Sequence, residues 1–137
     1  MSSARVTLIE RLYREFYNER NAAAAAQAAI SIFHDPQRFI DEYKALRAAF
    51  PDMQIRPDVI LEAGRHITVR WTMLGTQQGV LKLPRVTIPA TGLAVTVLGI
   101  SIFEMTRGLI KNRVWATSDG LEMLYNLGVR FVPPPSP

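Results

Sequence analysis

Over the first fifty residues apolar side chains recur every three to four positions, and thereafter at every second one. Val6, Ile9, Leu12, Tyr13, Phe16 and Tyr17 predict a first helix from about Ala4 to Glu19. Asn21 breaks that pattern and stands as a cap for the alanine-rich run Ala22–Ala29, whose only interruption is Gln27. Ile30, Ile32 and Phe33 anchor it beyond. Asp35-Pro36 predicts a third start, an N-cap acceptor before a proline whose missing N–H costs nothing at the first helical position. Phe39, Tyr43, Leu46 and Phe50 then form one stripe with Ile40 beside it, and Pro51-Asp52 ends the helix.

From Met53 the period is two. Gln54–Glu62 predicts a strand that Pro57 confines to an edge or a bulge. Ala63–His66 turns into a second strand, where Ile67, Val69, Trp71 and Met73 alternate with Thr68, Arg70, Thr72 and Leu74. Residues 79–92, with Pro84, Pro89 and Gly92, make a long connection of the kind that closes over something. Leu93–Glu104, rich in β-branched residues, is a third strand, and Thr106-Arg107-Gly108 turns it into a fourth. Strict alternation along 109–119 puts Arg113, Trp115, Thr117 and Asp119 on one side. Gly120–Leu127 is a short last helix with Gly128 as its C′ residue. Helices followed by antiparallel strands predict an α+β fold, a cone-like α+β barrel whose N-terminal helices pack on one face of a curved sheet around an internal pocket. Residues 1–131 are expected to be one domain and 132–137 a flexible proline-rich tail.

Composition narrows the chemistry. Cysteine is absent, which excludes disulfides, thiolate metal sites and cysteine nucleophiles. His34 and His66, the only two histidines, do not lie at ligand spacing, so neither a metal nor any other cofactor is expected. The net charge is +4, but the basic residues are scattered arginines near acids, as in Arg11/Glu15 and Glu19/Arg20. That is the pattern of solvated helix faces and not of a nucleic-acid partner. The longest apolar stretch, Leu93–Phe103, is too short and too rich in Thr, Ser and Gly for a membrane. The first residues do not read as a signal peptide, so a cytoplasmic location is expected.

Asp119, a lone carboxylate near Trp115 at the last strand-to-helix junction, is the candidate general acid/base. Asp119-x-x-Glu122 is also a capping-box spacing, and both roles coexist if Ser118 caps while Asp119 faces inward. His34 either touches a ligand or merely flanks the third helix. Arg70 alternates against Trp71 and is a candidate for the pocket, whereas His66 sits in a turn and is expected to be exposed.

The ordered set Leu12-Tyr-Arg-Glu-Phe-Tyr-Asn-Glu-Arg-Asn21, Phe33-His-Asp-Pro36, Leu46-Arg-Ala-Ala-Phe-Pro-Asp52, Val69-Arg-Trp-Thr72, Gly75-Thr76, Ala90-Thr-Gly92, Gly99-Ile-Ser-Ile-Phe103, Trp115-Ala-Thr-Ser-Asp119 and Leu124-Tyr-Asn-Leu-Gly128 resembles the SnoaL-like polyketide cyclase family, of the nuclear-transport-factor-like, cystatin-type superfold. The resemblance implies that Asp119 is the general acid/base of an aldol cyclase, with His34 as its catalytic partner hydrogen-bonding the substrate and Trp115 lining the pocket. Arg70, Gln77, Trp71, Tyr13 and Phe16 complete the expected substrate contacts. Gln77 stands where family members often carry histidine, and Val114 where a polar residue precedes the tryptophan. The expected function is binding of a small apolar, oxygenated ligand, with cofactor-free cyclase or isomerase chemistry. The alternatives are a non-catalytic binding module, a dimeric interaction module, or an epoxide-hydrolase-like enzyme. The superfold commonly pairs through its sheet, so a homodimer is expected.

Overall fold

A computed structural model describes residues 3–130 and 132–136 of the chain. The element order is α1 (Ala4–Arg11), a π-helical turn (Leu12–Tyr17), α2 (Ala22–Ile30), α3 (Pro36–Ala49), β1 (Gln54–Ala63), β2 (His66–Thr76), β3 (Leu81–Leu83), β4 (Val86–Ile88), β5 (Ala94–Thr106), β6 (Leu109–Ser118) and α4 (Gly120–Asn126). This is the anticipated α+β arrangement of helices on a curved antiparallel sheet. Of the tail, residues 132–136 carry no regular secondary structure; Pro137 lies outside the described residues, as do Met1, Ser2 and Phe131.

The first helix changes character halfway, for a reason in its sequence. Its buried pairs Leu8/Ile9, Leu12/Tyr13 and Phe16/Tyr17 repeat every fourth residue. At 3.6 residues per turn such a stripe drifts by about 40° per repeat. The wider turn, closed by Asn18 N donating to Tyr13 O at 2.9 Å, keeps all three pairs against the core. Asn21 caps α2 through the Ala24 amide at 3.0 Å. Pro36 occupies the first position of α3, but Asp35 makes no capping bond with its side chain.

The main sheet runs β1-β2-β5-β6, all antiparallel. Its inward face carries Ile67, Val69, Phe103, Met105 and Ile110, all buried against the helices. Phe16 is fully buried there, 5.4 Å from the Phe33 ring and 5.2 Å from Tyr43. Pro57 lies on edge strand β1 beside a register shift at Asp58, as its chemistry requires. The long connection contains one element not anticipated, the small hairpin β3–β4. We call residues 78–93 the flap.

Candidate functional site

Two extra residues in β6 decide what faces the helices. Trp115 pairs with Ile102 but Arg113 with Phe103, so Val114 has no opposite number; Lys111 is a second such bulge. Val114 flips the alternation. Arg113 therefore shares the inward face with Phe103 and Ile67, while Trp115 and Thr117 point outward with Ile102 and Ile100. The expectation that Arg113 and Trp115 share one side is thus corrected.

Arg113, half-buried, sits at the centre of a polar cluster at the edge of the apolar core. Its Nη2 donates to both Glu42 carboxylate oxygens, at 2.8 and 3.1 Å. Its guanidinium lies 5.7 Å from the Phe39 ring centroid, a cation–π contact. The Tyr17 phenol lies near the same guanidinium, and the Tyr13 ring lies 5.3 Å from that of Tyr17. Burial pushes Tyr17 up to about 12, with Arg113 pulling down and Glu42 pushing up. Burial likewise holds Tyr13 well above the usual tyrosine value. Both phenols are therefore neutral donors at ordinary pH.

Arg113 and Glu42 also line a cleft of about 500 Å³ between α3 and the flap, walled by Ala45, Leu46, Ala48, Val80, Leu81 and Leu83 with Lys82 at its edge. Buried Gln77 latches the flap. Its amide donates to Ile88 O at 3.0 Å and accepts from the Thr91 amide at 3.2 Å and hydroxyl at 2.7 Å. The Gln78 and Gly79 amides donate to Ala49 O at the end of α3. A Cβ at residue 79 would collide with the Ala48 carbonyl, so only glycine fits there.

The sequence-predicted residues fall into separate places. Asp119 is exposed and caps α4, accepting the Glu122 amide at 3.1 Å, while its own amide donates to Leu98 O at 2.8 Å. With Arg70, also exposed, it borders a shallow outward-facing hollow of about 200 Å³. His34 is exposed at the opposite end of β6, its Nε2 2.7 Å from Thr106 O. Nine residues of strand, about 30 Å, separate its neighbour Ile110 from Asp119, so the two do not share a pocket. Trp115 is 51% exposed on the outer face. Trp71 lies on the inner face across Gly99, its indole N–H donating to Ser101 Oγ at 3.0 Å. Phe16 is core and Gln77 is a latch. Of the set, Tyr13 alone joins the Arg113 cluster. Glu42, Arg113 and Tyr17 were not singled out; their chain separations hide them, since Glu42 and Arg113 are 71 residues apart.

Among the described residues, no group of three or more His, Cys, Asp or Glu side chains is placed to hold a metal ion, and no helix is long and apolar enough to cross a membrane.

A family model described as SnoaL-like polyketide cyclase matches residues 7–127. The structure of TsrD from Streptomyces laurentii superposes with a TM-score of 0.78 at 23% identity, covering 93% of this chain and 98% of that one. A candidate polyketide cyclase from Acidithiobacillus ferrooxidans gives 0.76 at 19% identity, covering 93% and 96%. Wild-type IdmH from Streptomyces antibioticus, likewise a candidate polyketide cyclase, gives 0.68 at 22%, covering 91% and 99%. At these identities the structures speak for the fold. No curated protein matches the sequence.

Proposed function

This chain belongs to the SnoaL-like polyketide cyclase family, and on that premise we propose that it binds an apolar, oxygenated small molecule between α3, the flap and β6 and catalyses a cofactor-independent proton transfer of the cyclase or isomerase type. One observation carries the reading: a carboxylate–guanidinium pair, Glu42–Arg113, lies on the wall of an otherwise largely apolar cleft large enough for a small ligand.

Such a pair supplies the two groups that enolisation needs. Glu42 accepts a proton from carbon beside a carbonyl; the C–H electron pair moves to the carbonyl oxygen, where Arg113 meets the developing charge. In a substrate with a second carbonyl, the enolate carbon attacks it to form a C–C bond, and the new alkoxide recovers the proton from Glu42. The product is an isomer of the substrate, with no external oxidant or reductant.

The test is exchange of the α-protons of 2-tetralone into deuterated water, followed by NMR. The wild-type protein is expected to accelerate it and Glu42→Gln to lower the rate by about 10²–10⁴-fold. Equal rates in the two proteins remove Glu42 from the chemistry. Saturable binding without any acceleration leaves a binding module.

A second reading keeps Asp119 as the acid/base, favoured by the hollow it shares with Arg70. There Asp119→Asn abolishes turnover; in the reading advanced above it leaves turnover unchanged, because asparagine still caps.

A second copy of the chain is the proposed occupant of the outer sheet face, where Val59, Leu61, Leu98, Ile100 and Trp115 expose apolar surface. Sedimentation equilibrium tests this: a homodimer that Trp115→Glu dissociates supports it, and a monomeric wild type refutes it.

A further inference from the structure

We propose that the β3–β4 hairpin is a lid: residues 80–91 swing on Gly79 and Gly92, the ligand enters the cleft with the hairpin lifted, and it is held with the hairpin shut. The inference rests on the cleft assignment above and adds how that cleft is entered.

Three observations converge. The first is what the hairpin covers. Leu81 and Leu83 form the flap side of the cleft wall, Ala45, Leu46 and Ala48 the α3 side. Enolisation gains from a site that shuts, because expelling water strengthens every charge interaction left inside.

The second is how little fastens the hairpin. From Val80 to Thr91, every described hydrogen bond to a residue outside the flap goes to one side chain, Gln77. The pairs Leu81–Ile88, Lys82–Thr87 and Leu83–Val86 form a two-stranded sheet of their own, joined to no strand of the main sheet. Apolar attachment is likewise small: Leu81 and Ile88 are buried, whereas Val80, Lys82, Val86 and Thr87 are exposed. A segment with few buried contacts and few bonds outward opens at a fraction of the global free energy. The third is where firm attachment resumes. The Gln78 and Gly79 amides are tied to Ala49 O, and the Gly92 amide to Gln77 O at 2.8 Å. Both ends are thus held while the middle is loose. Each end is a glycine, and Gly92 already adopts the left-handed φ of 71°. Positions of this kind absorb the backbone rotation of a hinge.

The chain has no cysteine, so Ile88→Cys supplies a single thiol that is buried with the hairpin shut and bared when it lifts. Ile67→Cys, on the inward face of β2, is the control that only global unfolding bares. Reaction with an aromatic disulfide reagent is expected to be at least about 10²-fold faster at residue 88 than at residue 67. Adding 2-tetralone at about ten times its Kd is expected to slow the reaction at residue 88 about tenfold, since only the shut form holds it. Should Ile88→Cys not fold, deuterium exchange at the Thr91 amide of the unaltered chain is read instead, with the same slowing expected. Equal labelling of the two thiols means a hairpin fixed until the whole domain unfolds, and overturns the lid. Labelling at residue 88 that bound 2-tetralone leaves unchanged overturns it too; both results spare the cleft. If NMR shifts detect no binding of 2-tetralone, the cleft assignment itself fails and the gate with it.

Discussion

Replacing Gln77 with leucine removes three hydrogen bonds while leaving side-chain volume nearly unchanged, so the loss isolates the latch from packing. Gln77 is fully buried, and its amide serves Ile88 O, Thr91 N and Thr91 Oγ1. Ile88 is buried, so its carbonyl loses its side-chain donor away from water, at about 1–3 kcal/mol. Thr91 is exposed and regains water, so its two bonds add about 0.5 kcal/mol each. The total is about 2–4 kcal/mol. For a domain of this size about 4 °C of Tm accompanies each kcal/mol, giving a fall of about 8–16 °C by calorimetry. Should the flap open alone, Tm moves less, and the Gln77 and Gly92 amides, bonded to Leu93 O and Gln77 O, exchange with deuterium faster instead. An unchanged Tm together with unchanged exchange in residues 77–93 would falsify the latch. A direct ligand contact at Gln77 predicts the opposite split, weaker binding with normal stability.

Two further outcomes follow from the same geometry. Asp119→Ala is expected to lower stability by about 1 kcal/mol and Asp119→Asn by far less, since asparagine accepts the Glu122 amide equally well; equal losses in denaturant melts contradict the capping role. The folded-state pKa of Tyr17 lies above its ordinary value of about 10, so its neutral phenol contributes stability that is fully present below pH 10 and lost as pH rises toward 12. Ultraviolet titration of the four tyrosines should therefore leave Tyr13 and Tyr17 silent until alkaline unfolding, and reversible ionisation of all four near pH 10 argues against their burial.

Legibility in the sequence followed locality. The helices over 22–30 and 36–49 and the strands at 54, 66 and 94 were readable because burial there follows one period and the breakers stand at the ends. Pro57 announced its edge and bulge for the same reason. At Gly128 the amides of residues 128 and 129 donate to Tyr125 O and Leu124 O, the C-terminal motif its glycine implied. Only half of the capping box was realised, because the Asp119 amide goes to Leu98 O. The flap hairpin escaped because three-residue strands hold too few positions to show a period. The Arg113–Glu42 pair escaped because it joins a strand to a helix across most of the chain. The π turn was the recoverable miss: pairs spaced by four instead of 3.6 fit a uniform α-helix poorly.

The candidate site depends on two departures from ideal geometry, and each has a definite consequence. Without the bulge at Val114, residues 113, 115 and 117 share parity, and the guanidinium lies outside with Trp115. With it, the indole stays on the outer face while the guanidinium turns to the inward one. Without the π turn, Tyr17 rotates away from the stripe that holds Tyr13 and away from Arg113. Both irregularities lengthen an element by part of a residue repeat, and both aim polar groups at the same place. Arg113 and Glu42 are only half-buried, and an ion pair that open to solvent adds little to stability, about 0–1 kcal/mol. Its place on the wall of the cleft is better explained by what it can bind than by what it holds together.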